Sequence, residues 1–184
     1  QACNHSIVAR AREAGIIELA CTNIRDFATD RHRSVDDKPF GGGPGMVMMA
    51  PPVFEAIESA SAGHPADPLR VLLTPQGERF EQATAERLAK RDRLMLVAGH
   101  YEGFDERIRT MVDMELSVGD VVLSGGELAA LVVIDAVTRL LPGAIGAEDG
   151  AAHESFQPTG PEGRRLLEYP QYTRPREYRR MSVP

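Results

Sequence analysis

The sequence is poor in cysteine: Cys3 and Cys21 are the only two in 184 residues. Two isolated thiols make neither a disulfide framework nor a metal spacing, so a reduced, cytosolic protein is the simple reading. Long apolar runs are lacking too. The richest region, Val118 to Ala147, is broken by Asp120, Glu127, Asp135 and Arg139. It cannot supply the ~20 lipid-facing residues of a membrane span. There is no internal repeat and no low-complexity tract. The five histidines, His5, His32, His64, His100 and His153, have no ligand spacing among themselves or with the cysteines, which speaks against zinc. Gly41 to Gly45 lacks the Lys-Ser/Thr of a P-loop, and no G-x-G-x-x-G leads from a strand into a helix. A nucleoside-like ligand without a triphosphate is therefore expected rather than ATP.

What is present is an ordinary globular composition, 42% apolar and 26% charged. The chain is long enough for one domain that buries about 70% of its unfolded surface. The net charge of −6 argues against a general nucleic-acid binder, but the average hides an asymmetry. Between Pro161 and Pro184 lie Arg164, Arg165, Arg174, Arg176, Arg179 and Arg180 against only Glu162, Glu168 and Glu177. Tyr169, Tyr172 and Tyr178 are interleaved. Arginine with tyrosine suits phosphate contact and base stacking, although composition alone favours a solvated basic linker.

Hydrophobic periodicity outlines the elements. A helix is expected over roughly 6–13, stopped by Gly15, and a short strand over 16–21. The stretch 25–46 is dense in charge and then in glycine, which marks a long loop, either ordered or mobile. Pro51 and Pro52 open a helix carrying Val53, Phe54, Ile57 and Ala60, closed by Gly63 and Pro65. An alternation follows: a strand at 71–74, a helix at 81–90, a strand at 94–98, and an amphipathic helix marked by Phe104, Ile108, Met111 and Val112. Next come a strand region flanked by Val118 and by Val121 to Leu123, and a long helix over 127–141. After about Ser155 periodicity fades into a linker. Strands alternating with helices imply βαβ units, hence an α/β fold with a mainly parallel sheet covered on both faces.

Each expected strand of that sheet runs into a loop of small or polar residues: Thr74-Pro75-Gln76-Gly77, Gly99-His100-Tyr101-Glu102-Gly103 and Ser124-Gly125-Gly126-Glu127. Ligands of parallel sheets bind beyond the carboxyl ends of the strands, and glycine there lets backbone approach a ligand. Any one of these loops is equally explained as a simple turn. The charged candidates are few. Arg139 lies four residues after Asp135, a spacing that also suits an exposed ion pair. Glu154 sits between His153 and Ser155, where a solvated carboxylate is the plain alternative. Asp30, Arg31, His32, Asp36 and Asp37 cluster beside the glycine run, as any charged surface loop could.

Five stretches carry a resemblance: DRHRSVDDKPFGGGPGMVMM (30–49), LTPQGERF (73–80), VAGHYEGFDERI (97–108), SVGDVVLSGGELAAL (117–131) and LLEYPQYTRP (166–175). Together the sequence resembles the bacterial tRNA (guanine-N1)-methyltransferase (TrmD) family along essentially its whole length. The resemblance implies a SPOUT-type α/β fold with a deep trefoil knot, working as a cytoplasmic homodimer with active sites at the subunit interface. It implies S-adenosylmethionine as methyl donor and N1 of guanosine at tRNA position 37 as acceptor, where guanosine also stands at position 36. Carried over, the cofactor pocket is Leu73, Thr74, Pro75 and Gln76, then Gly99, Tyr101 and Glu102, then Val118, Gly119, Asp120, Val121, Val122 and Leu123, with Gly125 and Gly126. The tRNA contacts are Arg31, His32, Asp36, Gly45, Tyr172 and Arg174. Glu154 is the base for the N1 proton and Arg139 the partner for charge on O6, the two coming from different subunits. No metal ligands are implied, and Mg2+ dependence is left open. Residues 1–155 form the methyltransferase domain and 156–184 the basic linker. The family carries a further strand before this stretch and a small helical tRNA-binding domain after it. This sequence departs from the family's usual Asp at Glu154, usual Arg at His100 and usual His at Gln171.

Three rival readings are defined by their consequences. A SPOUT methyltransferase with another RNA target accounts less well for the stretches 30–49 and 117–131. A cofactor-binding dimer without catalysis would bind S-adenosylmethionine and transfer nothing. A small-molecule α/β enzyme would leave the Arg/Tyr tail and the charged loop unexplained.

Overall fold

The computed structural model describes residues 2–146, 155–158 and 163–184. The chain divides into two compact units, 1–146 and 147–184.

The first unit is built on a parallel three-stranded sheet in the order β4-β3-β5. Its strands are β3 (Leu69–Arg79), β4 (Leu94–Val97) and β5 (Met114–Ser117). Alternation along β3 sends Leu72 to one face and Val71 and Leu73 to the other. Leu72 joins Val97 and Ile108 beneath α2 (Ala50–Ser61), which contributes Val53 and Ile57. Val71, Leu73 and Leu116 pack against Ala85 and Leu88 of α3 (Gln82–Leu88) and against Ala129, Val133 and Val137 of α4 (Gly126–Thr138). Both faces are thus covered, as the βαβ pattern requires.

Local chemistry explains the boundaries. α1 (Ser6–Glu13) ends at Gly15, which takes φ +69. α2 starts with Pro51 and Pro52 in its first turn, where a missing N–H loses no helical bond. Its last carbonyls are satisfied from outside the helix: the Arg93 guanidinium donates to Ala60 O at 2.5 Å and to Ser61 O at 3.4 Å.

Four expectations are corrected. Residues 16–21 form no strand, because the amides of Ile16 and Ile17 donate to Ala11 O and close the end of α1. The stretch 25–46 is more ordered than a plain loop. It contains a 3-10 turn, Ile24–Phe27, and the strand β1 (Asp36–Asp37), which pairs antiparallel with β2 (Val47–Met48). The helix expected around Ile108 is a 3-10 helix, Glu106–Met111, capped by the Asp105 carboxylate on Arg107 N–H. The third sheet strand precedes Val118, and 118–123 is a turn with Val121, Val122 and Leu123 exposed. Their apolarity suggested a buried strand, but β5 uses Leu116 for the core instead.

The second unit holds two short antiparallel ladders, β6 (Gln157–Pro158) with β7 (Arg165–Leu166) and β8 (Glu177–Tyr178) with β9 (Met181–Ser182). Arg179 and Arg180 turn the latter with positive φ at both positions. The Arg179 guanidinium lies over the Tyr178 ring, 5.2 Å from its centroid.

The β3–β5 register holds through Leu73↔Leu116, then resumes at Glu78↔Leu116, so Thr74 to Gly77 loop out of the ladder. A side chain at Gly77 would overlap the Leu116 backbone. Gly77→Ala is expected to lower stability by about 2 kcal/mol, read as a fall in melting temperature of about 4–8 °C. An unchanged melting temperature would contradict this close approach.

Candidate functional site

The looped-out segment Thr74 to Gly77 lies beyond the β3 core residues, and two further loops follow β4 and β5. The latter two leave the carboxyl ends of parallel strands, and the first interrupts β3 before its pairing resumes at Glu78. The second and third are sewn together: Gly126 N–H donates to Gly99 O at 2.7 Å, and His100 bridges to Gly125. A Cβ at Gly126 would stand 2.9 Å from Ala98 Cα and Gly99 N, so only glycine permits this approach. Across the same junction His100 Nε2 and Glu127 Oε1 are 2.5 Å apart. Gly99 leaves room for the Phe104 ring beneath its loop.

The hairpin β1–β2 joins this assembly at its base. Glu102 N–H donates to Met46 O at 2.9 Å, and Met48 N–H donates to Gly103 O at 2.8 Å. Gly45 packs directly on the Glu102 side chain, and any side chain at 45 would collide with it. The glycine-rich hairpin and the β4 loop therefore form one continuous surface.

A second tie runs through the 3-10 turn. Arg25 and Arg33 each donate a guanidinium hydrogen bond to the other's carbonyl, at 2.9 and 3.1 Å. Arg33 also pairs with Asp26. The remaining arm of Arg25 donates to Tyr101 Oη at 3.0 Å. Tyr101 sits in the left-handed region at φ +63, a conformation a non-glycine residue keeps only when its surroundings impose it. Between these arginines Asp30 accepts from Ser34 N–H, Ser34 Oγ and His32 N–H. Those bonds, the Ser34 amide first, hold its carboxyl below the ordinary value of 3.8.

The expected residues can now be placed. Leu73 is buried in β3, with Thr74, Pro75 and Gln76 in the looped-out segment. The Gln76 side-chain oxygen accepts from Arg109. Gly99, Tyr101 and Glu102 are drawn to Gly125, Gly126 and Gly45 as described. Val118 to Leu123 form the turn after β5, with Asp120 3.9 Å from Arg79. Arg31 and His32 ride on the loop framed by Asp30, and Asp36 pairs with Met48 in the hairpin. Tyr172 and Arg174 are exposed in the second unit. Glu154 lies outside the described residues.

Arg139 is not brought to these loops. It is the C-cap of α4, whose first residue is Gly126. Thirteen helical residues at about 1.5 Å each put Arg139 about 20 Å from the glycine junction of its own chain.

Among the described residues no cluster of His, Cys, Asp or Glu could hold a metal ion, and no helix is long and apolar enough to cross a membrane.

A family model described as tRNA (Guanine-1)-methyltransferase TrmD matches residues 1–184. The chain belongs to the TrmD family. The tRNA (guanine-N(1)-)-methyltransferase of Moorella thermoacetica is 55% identical over 183 residues, which is 98% of this chain and 71% of that protein. Its counterpart in Halorhodospira halophila is 54% identical over 186 residues, 100% of this chain and 68% of that protein. Among solved structures, the tRNA (m1G37) methyltransferase of Aquifex aeolicus matches with a TM-score of 0.79 and 40% identity, covering 100% of this chain and 73% of that one.

Within this TrmD framework the sequence reading did not single out Arg25, Arg109 or the role of Glu127. Arg25 had a signal, since it opens the charged stretch. Its target Tyr101 is distant in sequence and only the fold brings them together.

The lowered Asp30 carboxyl gives a pH prediction. A depressed folded-state pKa means the Asp30 contribution to loop order is fully present above the ordinary value and is lost as pH falls through the lowered one. The Ser34 amide resonance is expected to titrate below pH 3.8 and to lose that transition in Asp30→Asn. A Ser34 transition at or above the ordinary carboxylate value would contradict the arrangement.

Proposed function

We propose that this chain transfers the methyl group of S-adenosylmethionine to N1 of guanosine at tRNA position 37, with guanosine preceding it. The observation that carries this reading is the joining of the loops after β4 and β5 at the Gly99–Gly126 junction, with the glycine hairpin seated on Glu102. The residues fit an adenosyl ligand. Backbone edges at Gly99, Gly125 and Gly126 suit a neutral purine, and the exposed Val121, Val122 and Leu123 offer apolar contact. When bound, S-adenosylmethionine supplies an electrophilic methyl on a sulfonium. Leu73, Thr74, Pro75, Gln76, Gly99, Tyr101, Glu102, Val118 to Leu123, Gly125 and Gly126 would hold it.

The chain's own residues then handle the acceptor. Guanine N1 carries a proton, and the Glu154 carboxylate accepts it as the new N–CH3 bond forms. The electron density left on the ring gathers at O6, where the Arg139 guanidinium stabilises it. Arg31, His32, Asp36 and Gly45 on one unit, and Tyr172 and Arg174 on the other, contact the tRNA. Residues 1–155 act as the methyltransferase domain, and 156–184 as a basic linker.

The separation of Arg139 from its own loops supports a composite site, in which Arg139 serves the partner subunit's loops. α4 supports the dimer independently. Apart from Glu127 and Asp135 the helix carries no charge. One face packs on the sheet, while Leu128 and Val132, one turn apart, are 58% and 50% exposed. A helix apolar on all sides needs cover on all sides, and a second copy supplies it. The deep trefoil knot and a cytoplasmic location beside the tRNA pool belong to the same reading.

Labelled methyl from S-adenosylmethionine is expected to enter a transcript with guanosine at positions 36 and 37, and not one with adenosine at 37. Label in neither would overturn the reading. Arg139→Ala should lower turnover by about 10²–10³-fold and Glu154→Ala by about 10²–10⁴-fold, both with cofactor affinity nearly intact. Equal loss of cofactor binding would show a folding role instead. A chelator added to the same assay reads any Mg2+ dependence. Val132→Asp is expected to run as a monomer in light scattering, where the parent chain runs as a dimer. A dimeric Val132→Asp would refute α4 as the interface.

A further inference from the structure

The β1–β2 ladder ends at Asp37↔Val47, and the tip between these residues carries Phe40. Phe40 has 104% relative exposure, the highest of any large apolar side chain among the described residues. Gly41, Gly42 and Gly43 follow it at φ +87, +83 and +123, with no atom within 4 Å of a would-be Cβ. Their backbone angles, not packing, require glycine, so the tip stands clear of the rest of its chain. The base of the hairpin is different. It is bonded to the β4 loop through Met46 and Met48, with Gly45 on Glu102. A bare aromatic ring is thus held out in solvent on an arm rooted at the proposed cofactor loops.

Charge narrows what the arm can grip. Between Arg25 and Met46 four basic residues, Arg25, Arg31, Arg33 and Lys38, face four acidic ones, Asp26, Asp30, Asp36 and Asp37. The segment has no net charge with which to attract a phosphate backbone. A base offers a π-face instead, and stacking on an exposed ring needs no net charge. Single-stranded loops present such unstacked bases.

We propose that Phe40 is a tRNA-contact residue that stacks on an unpaired base of the anticodon loop and so holds the acceptor guanosine beside the β4 loop. The proposal rests on the tRNA methyltransferase reading and names a specificity contact for it.

The sequence contains no tryptophan, so Phe40→Trp introduces a single fluorophore at the point in question. Its emission is expected to be that of exposed indole in the free protein and to be quenched when tRNA is added. Phe40→Ala is expected to raise KM for tRNA by about 5- to 150-fold, the range of one lost base stack. Its kcat, its affinity for S-adenosylmethionine and the salt dependence of its tRNA binding should be close to those of the parent chain. Phe40→Tyr should keep the parent KM and Phe40→Leu should not, because leucine is apolar without a stacking face. Unchanged KM in Phe40→Ala, full rescue by Phe40→Leu, or buried-indole emission before RNA is added would each overturn the proposal. The last would assign Phe40 to a contact between subunits. A parent chain that binds no tRNA would overturn the underlying reading, whereas tRNA binding indifferent to Phe40 would overturn this contact alone.

Discussion

The site depends on the break in register between β3 and β5. Three residues of β3 pair with β5 in the ordinary parallel manner. Four residues then leave the ladder, and the strand returns to the same partner, Leu116. Both ends of the looped-out segment are therefore pinned by backbone bonds. That fixes one of the three loops at both ends, and the Gln76 side chain, accepting from Arg109, adds a tie within it. Gly77 makes the return possible, because its backbone lies against that of Leu116. The other two loops are fixed to each other by a comparable device, the Gly99–Gly126 approach. A ligand held there as proposed would meet loops fixed by backbone bonds, which suits a neutral ring better than a polyphosphate.

The same economy of charge runs through the proposed RNA contacts. The first unit presents near-balanced charge around its hairpin, and the arginine-rich stretch lies in the second unit. Recognition of tRNA would then divide into two physical kinds. On the proposed function the second unit would offer salt-sensitive phosphate contact. The hairpin would offer salt-insensitive contacts that read shape and stacking. Such a division accounts for an overall acidic protein acting on a polyanion.

Much of the fold was legible in the sequence because its helices and core strands have clear periods. α1, α2, α3 and α4 fall where apolar spacing, proline and glycine put them, and the alternation of strand and helix gave a parallel sheet covered on both faces. The errors have physical causes. Ile16 and Ile17 look like strand residues, yet their amides are consumed in closing α1. Val121 to Leu123 look like core, but they are exposed, as the residues of a binding loop would be. The three loops were singled out in the sequence from glycine and small residues alone. The assignment to S-adenosylmethionine, and the roles of Arg139 and Glu154, came from resemblance and not from spacing. The Arg25–Tyr101 and His100–Glu127 ties were hidden, since each joins residues far apart in the chain.

The central claim is that the site is composite, with Arg139 serving the loops of the other subunit. α4 carries Arg139 away from the junction where it starts, as such a site would require. The most direct test is a mixed dimer isolated through two different tags, one chain bearing Arg139→Ala and the other Gly126→Val. Each homodimer is expected to be inactive. If Arg139 acts across the interface, the mixed dimer has one intact site, in which the loops of the first chain meet Arg139 of the second, and methyl transfer returns. If Arg139 acts on its own loops, both sites carry a lesion, and an inactive mixed dimer would contradict the account.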